Sequence, residues 1–337
     1  MGKKDRKPDR KKDHIDLAFL SQLKKDQIDT RFYYEPILSP HPDSLAYPVK
    51  FLGKSLQLPI WVSSMTGGTK WAKKINHNLA RACCDFGMGM GLGSCRMILD
   101  SDEHFEDFNV RPVIGDHLPL YGNIGIAQIE RLIDSEKTFK LQKLVDRLRL
   151  DGIIIHVNPL QEFLQPEGDR ITRRPLDTIS DLLGRIDFNI IVKEVGQGLG
   201  MNSLKALFQL PLAAIDFGAS GGTNFTILEL LRGAKEKTPS LTPIAQVGHS
   251  AEEMVSFCNE IKSELGTRIQ CHEIIVSGGI SHFLDGYYLI NKLKFSCVYG
   301  QASRFLHYAK ESYQSLADYV KKQAEGLVLS RSYLRLK

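Results

Sequence analysis

Short apolar runs alternate with longer segments of helical periodicity along most of the chain. The runs predict eight buried strands. These lie at residues 58–63, 87–92, 119–123, 152–157, 189–194, 212–217, 273–277 and 295–299. Between the runs, apolar side chains recur at spacings of three and four residues, as in Trp71, Ile75 and Leu79, which is typical of a helix with one buried face.

The helical segments are predicted between successive strands. They cover residues 71–86, 141–148, 176–186, 203–208 and 225–233. Ser250 and Glu253 have the spacing of a capping box, so a further helix is predicted to begin there and to continue through Leu265.

Eight strands that alternate with helices over about 240 residues match the size of a (β/α)8 barrel. A doubly wound open sheet is the alternative, because periodicity does not distinguish an open parallel sheet from a closed one. Residues 1–55 contain five of the 14 prolines and are predicted to form an N-terminal arm and lead-in segment. Residues 56–337 are predicted to form the barrel.

The composition is that of a globular protein, with 42% hydrophobic and 25% charged residues. No apolar run approaches the roughly 18 residues of a membrane span, and no hydrophobic stretch follows the basic N-terminus. The six cysteines form no CxxC pair, which favours reduced thiols. We therefore expect a cytoplasmic protein without stable membrane insertion.

The net charge of +5 is concentrated in one short segment. Residues 1–12 hold seven basic and two acidic side chains, so the remaining residues sum to zero. A nucleic-acid-binding protein would carry such charge on a folded face, and we expect no nucleic-acid partner. The arm is either a solvated tail or a segment that closes over an anionic ligand.

Glycine-rich loops follow the sixth and seventh predicted strands, and a short loop follows the eighth, at the end of a barrel where chemistry collects. Gly278 and Gly279 follow the seventh strand, and Gly221, Gly222 and Thr223 follow the sixth. Glycine lets the backbone approach an anion, and N–H groups at a helix N-terminus point at it. The loops therefore favour a phosphate site, although a glycine pair also occurs in plain turns.

The fourth predicted strand ends in a polar cluster. His156 and Asn158 share one face of the strand, and Gln161 and Glu162 follow in the loop. A single carboxylate suits Mg²⁺ held mainly by substrate phosphate and water. The alternative for His156 is a hydrogen-bonded core residue. Lys193, directed inward from the fifth strand, requires an anion or an electron-rich ring, because the adjacent Glu194 faces the other side.

Five motifs together resemble the type 2 isopentenyl-diphosphate isomerase family, a family of flavin-dependent (β/α)8 enzymes. They are Arg10-Lys11-Lys12-Asp13-His14-Ile15, Met65-Thr66-Gly67-Gly68, Gly93-Ser94-Cys95-Arg96, His156-Val157-Asn158-Pro159-Leu160-Gln161-Glu162 and Gly221-Gly222-Thr223. The resemblance extends over roughly residues 6–305.

The resemblance implies roles for individual residues. FMN would contact Met65, Thr66, Gly67, Ser94, Asn123, Lys193 and Thr223, and its phosphate would be held by Gly278, Gly279, Ala302 and Ser303. The substrate would be bound by Arg10, Lys11, His14, Ser94, Arg96, Asn158 and Gln161. Glu162 would bind Mg²⁺, and the catalytic residues would be His156, Gln161 and Lys193.

The activity implied by the resemblance is the isomerisation of isopentenyl diphosphate to dimethylallyl diphosphate in isoprenoid biosynthesis. It would use Mg²⁺ and reduced FMN, with NADPH as reductant, in a homo-oligomer of four or eight chains. The alternatives are an FMN-dependent barrel oxidoreductase and a non-catalytic flavin- or isoprenoid-binding relative. Cys95, Phe225 and Ser281 stand where the family commonly has Gln, Trp and Arg, which bears on the substrate fit and the phosphate loop.

Overall fold

The computed structural model describes residues 10–63, 71–233 and 238–337. The strands are β1 (Phe32–Tyr34), β2 (Val49–Phe51), β3 (Lys54–Leu56), β4 (Ile60–Val62), β5 (Gly89–Gly91), β6 (Leu120–Gly125), β7 (Gly152–Val157), β8 (Asn189–Glu194), β9 (Ala214–Asp216), β10 (Glu273–Ser277), β11 (Ser296–Gln301) and β12 (Leu334–Leu336). The eight strands from β4 to β11 are parallel and close into a barrel in the order β10-β11-β4-β5-β6-β7-β8-β9. The predicted (β/α)8 barrel is confirmed.

Helices surround the barrel. They are α1 (Arg10–Leu17), α2 (Ala72–Phe86), α3 (Phe105–Phe108), α4 (Arg111–Ile114), α5 (Ile126–Asp134), α6 (Phe139–Leu148), α7 (Pro159–Leu164), α8 (Pro175–Leu183), α9 (Met201–Leu207), α10 (Phe225–Arg232), α11 (Thr238–Ala245), α12 (Ala251–Leu265), α13 (Phe283–Lys292), α14 (Ser303–Glu311) and α15 (Tyr313–Tyr333). Over the described ranges, no helix combines the length and apolar character that a membrane span requires.

Three of the predicted strands coincide with β7, β8 and β10 residue for residue. Three others, β4, β5 and β9, are shorter than predicted. Residues flanking these short strands, such as Leu58 and Phe217, are buried but stand outside the strands. An apolar run therefore marks burial, whereas the length of a strand depends on its pairing partners.

The predicted helix after Ser250 forms as α12, and of the two hydrogen bonds of a capping box the structure describes one. The Ser250 side chain accepts a hydrogen bond from the Glu253 N–H at 3.2 Å. The Glu253 carboxylate instead lies 3.1 Å from His249 Nδ1. The neighbouring histidine thus takes the carboxylate that the motif would direct to the Ser250 backbone.

Large aromatic side chains fill the barrel interior toward its amino-terminal end. Trp61 and Tyr121 are buried and meet edge to face, with ring centroids 6.1 Å apart. A Cβ on Gly89 would lie 2.5 Å from the Trp61 ring. Glycine in β5 therefore makes room for the indole, and the polar groups of the barrel gather at the opposite end.

A buried cation also lies at the amino-terminal end of the barrel. Arg111 is 3% exposed and donates to the carbonyl oxygens of Arg149, Gly115 and Leu118 at 2.7, 3.0 and 3.0 Å. It also donates to Asp151 Oδ2 at 2.9 Å. The Asp151 carboxylate thus balances the charge of Arg111, and the carbonyl oxygens accept hydrogen bonds from its guanidinium group.

The lead-in segment packs against the barrel domain at two places. β1 pairs antiparallel with β12 near the other terminus, and β2 and β3 form a hairpin with Phe51 and Leu56 buried in the core. This hairpin runs across the predicted boundary at residue 55, and the division of the chain into arm and barrel stays a prediction. By contrast, α1 has no buried residue.

Candidate active site

Three polar side chains stand in register on adjacent strands at the carboxyl end of the barrel. His156 on β7 pairs with Lys193 on β8, and Lys193 pairs with Asp216 on β9. Lys193 Nζ lies 3.4 Å from Asp216 Oδ2, and Asp216 is fully buried. The anion that an inward lysine requires is therefore Asp216, a residue that the sequence analysis did not identify.

Glu194 is held on the other side of β8, as the strand alternation predicts. Its carboxylate accepts the backbone N–H groups of Gly196, Gln197 and Gly198 at 2.7, 2.7 and 2.8 Å. Burial raises the pKa of this carboxyl group despite those hydrogen bonds. Glu194 thus shapes the loop after β8 and leaves Lys193 to the barrel interior.

The Asp216 carboxylate is supported on one oxygen only. Ser277 Oγ donates to Asp216 Oδ1, and the Gly218 N–H donates to Ser277 Oγ at 2.9 Å. The second oxygen, Oδ2, is buried and has no hydrogen-bond partner within the described ranges. The ion pair with Lys193 is thus incomplete in hydrogen-bonding terms.

His156 is neutral at the barrel mouth. Burial of the ring, and secondarily the positive charge of Lys193, lower its pKa to about 4. Its Nδ1 lies 2.5 Å from Asn123 Oδ1, an acceptor, so Nδ1 carries the hydrogen. Nε2 then presents a lone pair. The core-residue alternative accounts for the Asn123 contact but leaves Nε2 available to a ligand.

A cavity of about 450 Å³ opens beside Lys193. Its walls include the glycine-rich loops after β9 and β10, with Gly278 and Gly279 at φ of 92° and 71°. A Cβ on Gly278 would lie 2.0 Å from the Ala219 carbonyl oxygen. The two loops therefore interlock, and the glycine pair serves more than an ordinary turn.

The first turn of α14 forms another wall of this cavity. Ala302, Ser303 and Arg304 line it, and the helix begins at Ser303. Free backbone N–H groups at a helix N-terminus attract anions. Thr223, which also lines the cavity, adds a hydroxyl. This arrangement can accept an anion, and phosphate binding by these residues stays a prediction.

The cavity fits a ligand that carries both polar groups and an anion. Ser63 Oγ lines it, is buried, and has no hydrogen-bond partner among the residues that the structure describes. Its volume lies within the roughly 300–1,000 Å³ of small-molecule sites. Together with Lys193 and the α14 terminus, these features suit the phosphate and ring of FMN.

The residues after β7 form a second cluster. Asn158 Nδ2 donates to Gln161 Oε1 at 3.0 Å and to Glu162 Oε1 at 3.1 Å. Glu162 Oε2 accepts the Asp169 N–H at 2.7 Å. Both donors are neutral, and the described part of the chain provides no cation for this carboxylate, which is 9% exposed.

This unpaired carboxylate fits a divalent cation. Burying a carboxylate is costly unless a positive charge accompanies it. No group of three His, Cys, Asp or Glu side chains with metal-binding geometry occurs in the ranges covered by the structure. Glu162 would therefore be a single protein ligand, which suits Mg²⁺ completed by substrate phosphate and water.

Asn158 and Gln161 line a second cavity of about 600 Å³. Apolar side chains make up much of its wall, including Val157, Leu160, Leu176, Ile179, Val192 and Leu207. Val195 lines both cavities. Gln161 is further held by Glu229 at 3.1 Å, a buried residue that the sequence analysis did not identify.

Other predicted site residues are not assembled at these cavities. Arg10, Lys11 and His14 are exposed on α1 and line neither cavity. Ser94 and Arg96 are exposed in the loop after β5. Three further predicted site residues, Met65, Thr66 and Gly67, lie outside the described ranges. For all of these, contact with cofactor or substrate stays a prediction.

The three departures from the family pattern occupy different environments. Cys95 is buried, burial raises its pKa to about 12, and its thiol donates to the Gly93 carbonyl oxygen at 3.4 Å. It is therefore a neutral core residue. Phe225 and Ser281 line the first cavity, where they bear on ligand fit.

Comparison with solved structures matches the architecture. A flavocytochrome b2 variant with sulfite bound superposes with a TM-score of 0.61 at 15% identity, over 90% of this chain and 72% of that chain. A mandelate oxidase variant with a monooxide FMN adduct superposes with a TM-score of 0.53 at 12% identity, over 91% of this chain and 88% of that chain. At these identities the likeness concerns the barrel fold.

No family model matches the chain. Among curated proteins, the chain is 32% identical over 327 residues to the isopentenyl-diphosphate delta-isomerase of Rickettsia felis. The aligned region covers 96% of this chain and 91% of that protein. It is 32% identical over 283 residues to the isopentenyl-diphosphate delta-isomerase of Rickettsia prowazekii, covering 82% and 80%. Because this similarity spans nearly the whole barrel, the chain belongs to the isopentenyl-diphosphate delta-isomerase family.

Proposed function

We propose that this protein interconverts isopentenyl diphosphate and dimethylallyl diphosphate in isoprenoid biosynthesis, using Mg²⁺ and FMN reduced by NADPH. The observation that carries the proposal is the pairing, at one barrel mouth, of a glycine-walled cavity beside Lys193 with a buried carboxylate, Glu162, that has no cation partner among the described residues. Membership of the isomerase family supports the same conclusion.

The residues that would hold FMN surround the first cavity. Backbone N–H groups of the loops after β10 and β11 would bind its phosphate, with Gly278, Gly279, Ala302 and Ser303 as the binding residues. Lys193 would lie beside the ring and Thr223 along the chain. Reduced FMN, when bound, supplies an electron-rich ring that exchanges a proton with the alkene.

Lys193 and His156 would act on charge in different ways. The Lys193 ammonium, with Asp216 as its partner, sets a fixed positive charge beside the cofactor. His156 is neutral at pH 7, so it would accept a hydrogen bond through Nε2 rather than donate a proton. With Gln161, it would orient the alkene end of the substrate.

The diphosphate would be bound by amide side chains and cations around the mouth of the barrel. Gln161 would donate a hydrogen bond to it, and Asn158 would do so by exchanging one of its hydrogen bonds to Gln161 and Glu162 for the substrate. Arg96 and the arm residues Arg10, Lys11 and His14 would close from outside. Glu162 would provide the protein ligand to Mg²⁺. Neutralising the anion in place prevents the allylic product from losing diphosphate.

We propose a homo-oligomer of four or eight chains in the cytoplasm. An absorbance spectrum of the purified protein with FMN, followed by an anaerobic isomerase assay with NADPH and Mg²⁺, tests the function. A yellow protein that converts isopentenyl diphosphate supports it. A colourless protein contradicts it, oxidation of a substrate with an electron acceptor favours the oxidoreductase, and a yellow protein without turnover favours the non-catalytic relative.

A further inference from the structure

We propose that Asp169 is a positioning residue that sets the distance between the diphosphate-binding cation Arg96 and the metal ligand Glu162. The inference rests on the proposed function, because it assigns a role in binding a metal diphosphate. Asp169 belongs to the loop between α7 and α8, and it lines neither of the two cavities.

The buried Asp169 side chain joins a buried glutamine and two exposed arginines. It is 7% exposed. Oδ2 accepts from Gln128 Nε2 at 2.7 Å and lies 3.2 Å from an Arg96 guanidinium nitrogen, while Oδ1 pairs with Arg131. One carboxylate therefore connects the start of α5 to the loop after β5.

The backbone of the same residue holds Glu162. The Asp169 N–H donates to Glu162 Oε2 at 2.7 Å, which fixes one oxygen of the carboxylate. The chain makes this close approach through Gly168, where a Cβ would lie 2.0 Å from the Glu162 carbonyl oxygen. Asp169 thus contacts Arg96 through its side chain and Glu162 through its main chain.

This arrangement reduces the conformational freedom of two groups that the substrate needs. Arg96 has a side chain that is 52% exposed, and an arginine in such a position loses rotamer freedom when it binds an anion. Holding it beside Asp169 removes part of that loss before the ligand arrives. The Asp169 main-chain N–H orients Glu162, as partners of metal ligands commonly do.

Asp169→Asn tests the role, because it removes the charge that holds Arg96 while leaving the main-chain contact to Glu162. Asp181→Asn is the matched control, since Asp181 also pairs with two arginines, Arg185 at 2.6 Å and Arg173 at 3.4 Å, and lines neither cavity. Binding of inorganic diphosphate to the FMN-loaded enzyme is measured by calorimetry, with and without Mg²⁺.

We expect Asp169→Asn to weaken Mg²⁺-diphosphate binding by roughly 10- to 100-fold. The KM for the isoprenoid diphosphate should rise more than kcat falls, while the flavin spectrum is unchanged. Binding to Asp181→Asn should equal that of the wild type. If Asp169→Asn folds poorly, Gln128→Ala, which loosens Asp169 without unpairing a charge, should weaken binding in the same direction by a smaller factor.

Unchanged diphosphate affinity in folded Asp169→Asn, or a loss equalled by Asp181→Asn, would overturn the inference. A wild-type enzyme that binds Mg²⁺-diphosphate but isomerises nothing would contradict the proposed function and leave the binding comparison between variants intact. The two failures are therefore distinguishable in one set of measurements.

Discussion

The two ends of the barrel each bury a cation beside an aspartate, but they complete the pair differently. At the amino-terminal end, Arg111 reaches three carbonyl oxygens and Asp151. At the carboxyl end, Lys193 lies 3.4 Å from Asp216, whose Oδ2 accepts no hydrogen bond within the residues described. The first pair is complete without a ligand, and the second is not.

Buried polar groups in folded proteins are almost always hydrogen-bonded, so the exceptions require a reason. Among the described residues, three exceptions lie near the carboxyl end of the barrel, namely Ser63 Oγ, Asn158 Oδ1 and Asp216 Oδ2, whereas the amino-terminal interior holds Trp61 Nε1. The comparison therefore assigns stability to the Arg111 end and ligand binding to the Lys193 end. Substitutions at the two ends should separate these contributions.

The largest effect on activity is expected for Glu162→Gln. Loss of the charge that neutralises Mg²⁺ should lower kcat/KM by roughly 100- to 1,000-fold, because stabilisation by one metal or oxyanion contact has that magnitude. The flavin spectrum and the melting temperature should be retained. Glu167→Gln, at an exposed residue paired with Arg232, is the control and should leave kcat/KM unchanged. Parallel loss of FMN would assign Glu162 a structural role.

Arg111→Met tests the other end of the barrel. Removing the buried partner of this ion pair should lower the free energy of unfolding by about 3 kcal/mol, since Lys54 is then the one cation that the described residues offer to Asp151. The kcat/KM of the folded enzyme should remain within about twofold of wild type. Urea unfolding measures the change in stability, and steady-state kinetics measure kcat/KM. An Arg111→Met variant that is stable but inactive would contradict the assignment of stability to this end of the barrel.

Lys193→Met should weaken FMN binding by about 10-fold or more, because a charge-assisted contact contributes on the order of 1.5–3 kcal/mol. It should also destabilise the protein by leaving Asp216 buried without a cation. The double variant with Asp216→Asn should recover stability but not FMN affinity. Flavin fluorescence gives the FMN affinity, and thermal unfolding gives the stability. Recovery of FMN binding in the double variant would contradict a direct role for Lys193.

The smallest effect concerns pH. The pKa of His156 is lowered to about 4 in the folded protein and is about 6.5 in the unfolded chain, so the unfolded state binds more protons between these values. Stability should therefore fall as pH decreases, by about 1 kcal/mol between pH 7 and 5.5. His156→Gln should lack this component, whereas His41→Gln, at an exposed residue that lines neither cavity, should keep it. Equal pH profiles for all three proteins would show that His156 is not buried as described.

Local patterns predicted the parts of the fold that depend on neighbours in sequence. The strands β7, β8 and β10 and the helix after Ser250 follow from periodicity and capping, which act over a few residues. The pairing of β1 with β12 joins segments about 300 residues apart and has no local signal. Closure of the sheet by the pairing of β4 with β11 is favoured by the number of strands, their alternation with helices and the length that they span, but periodicity does not distinguish it from an open sheet.

The candidate site divides in the same way. His156, Lys193 and the glycine pair were identified because strand alternation and loop composition are local properties. Asp216 and Asp169 were not, because their partners lie on other strands or loops and only tertiary register brings them together. The Pro166 to Gly168 turn was the one available signal for Asp169.

The central claim is that the Lys193 end of the barrel supports isomerisation without net redox change. The most direct measurement runs the enzyme anaerobically in D₂O and counts NADPH oxidised per dimethylallyl diphosphate formed, with mass analysis of the product. The account predicts many turnovers per NADPH, deuterium in the product and no turnover with oxidised FMN. Consumption of one NADPH per product, or turnover of the oxidised enzyme with an electron acceptor, would contradict it.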